Sequence, residues 1–312
     1  MTRSTRARFT AAALALAVAI AWAGAHGVAQ TPGPKTTPDT PFKLATFEAG
    51  GQVRVGMVLG ARVLDISGAN RHVSERAKLA AMAMPGDMKA LIEQYATLAP
   101  RLYQIANFFA ATPATNQPFA FDFAAVSVKA PIKYPWNLMA ASANYKAHAE
   151  GMGTAGAGQP ATPAPAAAPT APAAPAAPGG FDASAAARIV PDRDAPIMFA
   201  KSPRSCIIDP GEPFYIVDGR GRTDYEGELA VIMGPRPAYR VPRERALDYV
   251  FGYSIMHDLS DRGSERLREV TMFPGANWFD GKSIDRAAPF GPVIVPKEFM
   301  PKLPSDLRIT TK

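Results

Sequence analysis

Cysteine is almost absent from this chain of 312 residues: Cys206 is the single one, which excludes an internal disulfide and any Cys-rich zinc module. Charge is sparse too. At 20% Asp, Glu, Lys and Arg the composition is not that of a charge-rich disordered chain, and no cluster of Lys and Arg interleaved with aromatics points to nucleic acid. Only one apolar run approaches a membrane helix, FTAAALALAVAIAW from Phe9 to Trp22, and it falls short of the about 20 residues that a bilayer span needs. Arg3, Arg6 and Arg8 precede it, and small residues follow at Ala23-Gly24-Ala25 and Gly27-Val28-Ala29. Residues 1–29 are therefore expected to be an export signal cleaved after Ala25 or Ala29, placing the protein in the periplasm or outside the cell. An uncleaved anchor is the alternative, although no second apolar segment or stop-transfer flank follows. The signal holds three arginines and no acid, so the net charge of +7 falls to +4 (7 − 3) without it, too ordinary a balance to point to a partner.

Proline is what the chain has in quantity, 31 residues, and much of it marks segments that cannot pack. TPGPKTTPDTP, residues 31–41, reads as an extended tether spanning about 30–41. The stretch 154–180, TAGAGQPATPAPAAAPTAPAAPAAPGG, carries no large apolar or charged side chain and cannot offset the entropy of ordering. An interdomain linker is one reading of it. A mobile loop inserted beside a folded site is the other, because NYKAHAEGMG before it and PIMFAKSPRS after it both look like pieces of such a site.

Between these segments the periodicity changes. FKLATFE, VRVGMVL and ARVLDIS alternate as strands joined by Gly turns, and residues 72–83 and 87–110 have apolar positions at helical spacing, the second interrupted by Pro100. Residues 42–128 are thus expected to form a small α+β N-terminal domain. Residues 196–312 are dense in strand-like runs, FYIVD, GELAVIMG, YVFGYSIMHDLS and PVIVP, with a short amphipathic helix expected at 243–250. The fold class is α+β, mostly β.

Candidate chemistry concentrates in DYEGELAVIMG. On a strand, Glu226 and Glu228 project from one face about 7 Å apart, while Leu229, Val231 and Met233 take the other. Asp258, at the end of YVFGYSIM, would converge on them if the two strands are neighbours. Three carboxylates meeting in a partly apolar setting repel unless one is protonated or a cation sits among them, and all-oxygen ligation selects a hard divalent ion. A solvated E-x-E face is the plainer alternative.

The blocks NYKAHAE, PIMFAKS, DYEGELAVIMG, ALDYVFGYSIMHDLSDR, GKSIDRAAPFGPVIV and DLRI occur in an order and spacing that resembles the fumarylacetoacetate hydrolase family, from about Lys129 onward. The resemblance implies a mixed β-roll catalytic domain over residues 129–312, usually dimeric, that binds Mg²⁺, or else Mn²⁺ or Ca²⁺, through Glu226, Glu228 and Asp258. It implies a small 2-oxo or 1,3-dicarbonyl acid as substrate, with metal-dependent C–C bond hydrolysis the leading expectation. Decarboxylation or keto–enol isomerisation, and a non-catalytic exported binding protein, are the alternatives. By the same resemblance Lys282 pairs with a substrate carboxylate or enolate oxygen, Tyr145, Lys201 and Arg262 line the substrate side, and His148 is the base that takes a proton from water. The family's Glu three residues after that His is Gly151 here, and Glu150 stands one position earlier, a turn of about 100° on a helix. His257 replaces a common Asn, and Gly263-Ser264-Glu265 replaces a polar run. Family members continue for several strands past the position of Lys312, so the roll is expected to lack its C-terminal strands.

Overall fold

The structure is a computed structural model that describes residues 33–142, 195–196, 198–220, 223–261, 278–300 and 307–311. The expected export signal and the Ala/Pro-rich insert lie outside the described residues, as do Tyr145, His148, Glu150 and Arg262. Among the described residues no helix is long and apolar enough to cross a membrane.

Strands β1 (Lys43–Ala49), β2 (Gln52–Leu59) and β3 (Arg62–Asp65) follow one another through tight turns. Gly50 and Gly51, at φ 60 and 71, form the first turn in a backbone conformation that side chains disfavour. With β4 (Ala120–Asp122) and β5 (Ser127–Lys129) they make an antiparallel sheet in the order β4-β3-β2-β1-β5. ARVLDIS reads as a single strand, yet β3 stops at Asp65, whose carboxylate accepts from Ser67 N at 3.1 Å and from Arg54 Nη1 at 3.0 Å. That cap starts α1 (Ile66–Ala77), six residues before the expected helix, and Lys78 ends it in the left-handed conformation at φ 52.

The helical stretch expected over 87–110, with its break at Pro100, is two helices, α2 (Met88–Glu93) and α3 (Tyr95–Ala111). The interruption falls at Gln94, and Pro100 stays inside α3 near its start, where its missing N–H removes one helical hydrogen bond. Arg101 on α3 is buried and donates to Asn70 Oδ1 at 2.8 Å, Ser74 Oγ at 2.9 Å and Ala80 O at 2.8 Å, tying α1 and the loop after it to α3. The Pro-rich segment lies along the same helix: Gln104 donates to Pro34 O, and Asn107 to Lys35 O and Thr37 O.

The second half contains β6 (Met139–Ala141), β7 (Met198–Ala200), α4 (Pro203–Cys206), β8 (Ile207–Ile208), β9 (Thr223–Asp224), β10 (Gly227–Met233), β11 (Val250–His257), β12 (Ser260–Asp261), α5 (Trp278–Lys282), β13 (Ala288–Pro289) and β14 (Val295–Pro296). β10 and β11 form the long antiparallel pair, with β14 on the far side of β11. β9 pairs with β12, β6 with β7, and β8 runs parallel to β13. A 3₁₀ turn at Arg243–Tyr249 takes the place of the expected amphipathic helix. FYIVD is not a strand: Gly211 and Gly219, both at positive φ, and Pro213 bracket it, and Tyr215, Ile216 and Val217 are exposed. The fold is mixed α+β and mostly strands.

One apolar core runs through both halves. Leu44, Met57, Leu102 and Ile105 pack in the same cluster as Ile207, Phe251, Met256, Phe290 and Ile294. Leu44 and Ile294 exchange both backbone hydrogen bonds at 2.8 Å. Tyr95 and Tyr103 on α3 both donate to Glu298 Oε1, at 2.5 and 2.7 Å. Burial, and then Glu298, push the Tyr103 phenol up to about 12 and that of Tyr95 in the same direction, so both remain donors at physiological pH.

Candidate active site

The antiparallel register pairs Gly227 with His257. It therefore brings Glu226, just before β10, beside Asp258, just after β11, and Asp258 N donates to Glu226 O at 2.8 Å. Lys282 closes the group from α5. Its Nζ lies 2.8 Å from Glu226 Oε2, 2.6 Å from Asp258 Oδ2 and 2.6 Å from Ser260 Oγ, with the Phe199 ring centroid 4.9 Å away. Lys201 approaches Asp258 from the other side, its Nζ 2.6 Å from Oδ1 and 3.0 Å from Leu259 O. It is only 2% exposed, so it braces Asp258 from within the core and does not face an open cleft. Burial pulls its ammonium below the ordinary value, against the opposite pull of Asp258.

Glu228 projects from the same side of β10 as Glu226 and Ile232, as period-two geometry requires. Ile232 is 8% exposed, whereas Val231 and Met233 are 49% and 52% exposed; the carboxylates thus share the side of this strand that packs at Ile232, and Val231 and Met233 lie on the open side. Burial first, and then the charges of Glu226 and Asp258, raise the Glu228 carboxyl from 4.5 to about 7, with Lys282 acting in the opposite sense.

That shift has a consequence for stability. Between 4.5 and about 7 the folded protein keeps a proton that the unfolded chain has released, so stability falls as pH rises through this window and stays lower above it. Glu228→Gln is therefore expected to be more stable than the parent at pH 8 in a chelator, by on the order of 1–2 kcal/mol after solvent screening at this half-buried position. At pH 4 the two should match. Urea unfolding at both pH values measures the difference, and an equal effect at both would contradict the assignment.

The donor set suits a hard cation: three carboxylates, with one held partly protonated by burial and by its neighbours. In the arrangement described, the cation between Glu226 and Asp258 is the Lys282 ammonium, and no group of three His, Cys, Asp or Glu among the described residues is gathered as a ready metal cage. Ser260 and Phe199 escaped the sequence reading. Phe199 stands two residues before Lys201 in the PIMFAKS block, and Ser260 two after Asp258, so both lie at strand spacing from residues that were singled out.

Comparisons with known proteins place this geometry in a family. An uncharacterized protein of Pyrococcus abyssi is 39% identical over 119 residues, 38% of this chain and 50% of that protein. The oxaloacetate tautomerase YisK of Bacillus subtilis is 25% identical over 277 residues, 87% of this chain and 75% of that one. The chain spans about half the length of the first curated relatives it matches. A solved structure from Mycobacterium smegmatis, assigned as an HpcE protein, superposes with a TM-score of 0.50 at 22% identity, covering 83% of this chain and 68% of the other; at that identity the likeness speaks for the fold alone. The family model for the C-terminal domain of fumarylacetoacetate hydrolase matches residues 137–312, more than half of the sequence and all of the residues that surround Lys282, and the chain accordingly belongs to the fumarylacetoacetate hydrolase family.

Proposed function

We propose that this protein is a divalent-metal-dependent enzyme that interconverts the keto and enol forms of a 2-oxo dicarboxylic acid of the oxaloacetate class. The observation that carries this reading is the buried cluster in which one ammonium, Lys282 Nζ, is shared by Glu226 and Asp258 beside Glu228, whose carboxyl titrates near neutrality. Glu226, Glu228 and Asp258 would hold the ion, which supplies polarisation of the 2-oxo group and stabilises negative charge on its oxygen. Tautomerisation moves one proton from the carbon next to the carbonyl to the carbonyl oxygen. Lys282 would hold a proton beside that oxygen. His148, with Glu150 as its partner, would handle the proton at carbon, and Tyr145 and Arg262 would orient the carboxylates of the substrate. Lys201 fixes the Asp258 rotamer. The similarity to an oxaloacetate tautomerase over most of the chain supports the substrate class, and the export signal read at residues 1–29 would place the reaction outside the cytoplasm.

A second reading is favoured by the NYKAHAE block, in which His148 follows Asn144-Tyr145: there His148 takes a proton from water, and the same cluster stabilises the enolate released by C–C cleavage of an acylpyruvate. The test is a pair of assays on the full chain with Mn²⁺ or Mg²⁺. Decay of the enol absorbance of oxaloacetate is expected to exceed the rate given by buffer and metal alone; no acceleration would overturn the tautomerase reading. Release of pyruvate from acetylpyruvate would establish the second reading.

A further inference from the structure

Lys282 sits at the end of a helix of only five residues, which has little rigidity of its own, yet its Nζ meets three oxygens within 2.8 Å. Something outside that helix must set its position. Arg220, 62 residues earlier in the chain, is half of the answer. One guanidinium nitrogen, Nη1, donates to Asp261 Oδ2 at 3.0 Å and to Asp280 O at 3.2 Å, and the other, Nη2, donates to Asp280 Oδ1 at 2.8 Å. Asp261 lies on β12 next to Ser260, and its side chain is fully buried; Asp280 lies on α5, two residues before Lys282. A single fork therefore fastens the helix that delivers the ammonium to the strand that delivers its hydroxyl partner. Gly281 is the other half. A Cβ there would stand 3.2 Å from Asp261 O, so α5 rests directly on β12 at the point the fork clamps. A guanidinium is suited to this task because its donors are coplanar and preorganised, whereas a lysine at the same place would offer one point of attachment.

We propose that Arg220 is a positioning residue of this site: without touching Glu226, Glu228 or Asp258, it fixes α5 on β12 and thereby aims Lys282 Nζ at the carboxylates. The inference deepens the functional reading above and rests on it for the part that concerns catalysis. It predicts that loss of the fork frees Lys282 selectively, leaving Lys201, which reaches Asp258 from a different element, in place.

The experiment uses the full chain as wild type, Arg220→Ala, Arg220→Lys and Asp280→Asn. Each is labelled briefly by reductive methylation and the rate at every lysine is read by mass spectrometry, alongside kcat and KM for oxaloacetate tautomerisation. In Arg220→Ala, Lys282 is expected to be labelled about tenfold faster or more, the equivalent of losing one charge-assisted hydrogen bond, with Lys201 still protected and the exposed Lys297 unchanged. kcat should fall by a similar factor with KM altered less, and Arg220→Lys should lie between the two. Labelling of Lys282 at the wild-type rate, or equal gains at Lys201 and Lys282, would overturn the proposal. If Arg220→Ala fails to fold, Asp280→Asn removes the charge on the helix side of the fork, keeps the Asp261 ion pair and gives the same readout at smaller amplitude. A wild-type protein inactive on both substrates would overturn the functional reading while the labelling still decides whether Arg220 aims Lys282. Freed Lys282 with kcat unchanged would show that the clamp does not serve the reaction.

Discussion

Asp258→Asn is expected to lower the stability of the protein by about 3–5 kcal/mol, the usual cost of leaving one partner of a buried ion pair without the other. Asp258 is 6% exposed and Lys201 2% exposed, and among the described residues Asp258, at 2.6 Å, is the carboxylate that Lys201 meets. An amide at position 258 would leave that ammonium with the Leu259 carbonyl and no countercharge in the core. Lys282 is affected less, because it retains Glu226. On the proposed metal reading, the same substitution replaces one of three carboxylates by a neutral amide and is expected to weaken Mn²⁺ binding strongly. Urea unfolding and calorimetric titration check the two effects separately. Adding Lys201→Met should restore much of the stability, since the pair is then replaced by neutral groups, and should leave the ion binding weak. A double variant as unstable as Asp258→Asn alone would contradict this account of the pair.

Lys282→Met is expected to move binding and turnover in opposite directions. Its ammonium now occupies the space between Glu226 and Asp258, so an ion entering there has to displace two charge-assisted hydrogen bonds. Removing that competitor should tighten Mn²⁺ binding by on the order of tenfold, in line with what one such bond contributes net. The loss of a preorganised donor beside the developing oxyanion should lower kcat/KM by about 10²–10³. Titration and initial-rate kinetics on one preparation read both quantities. Weaker Mn²⁺ binding in the variant would mean that the ammonium assists the ion and does not compete with it.

The parts of this molecule that were legible in the sequence are those fixed by local period. Alternation in LATFE, RVGMVL and ELAVIM identifies strands because each side chain's face follows from its own position, and the spacing of Glu226, Glu228 and Asp258 suffices to suggest that they meet once β10 and β11 are neighbours. Helix boundaries were harder. The start of α1 depends on whether Asp65 ends a strand or caps a helix, and its bond to Arg54, eleven residues earlier, is part of what decides it. FYIVD shows the reverse failure: its composition favours a strand, but a strand also needs a partner edge, and none reaches it among the described residues. Which face of β10 would be packed was not readable from the strand itself, since Leu229, Val231 and Met233 are the more apolar set and yet Val231 and Met233 lie open. The function of Arg220 was out of reach for the same kind of reason. Its partners Asp261 and Asp280 are 41 and 60 residues away, and a lone arginine in a loop carries no mark of what it will clamp.

The reciprocal hydrogen bonds between Leu44 and Ile294 bear on how the protein is made. Ile294 follows Leu44 by 250 residues (294 − 44), so the start of β1 lacks this partner until the second half has been synthesised. The contacts of Tyr95 and Tyr103 with Glu298 impose the same delay on α3. Long sequence separation between obligatory partners slows folding and prolongs exposure of apolar surface. The first half therefore completes these contacts only once the second half has been made, and the two halves, which share one apolar core, are expected to reach their final stability together.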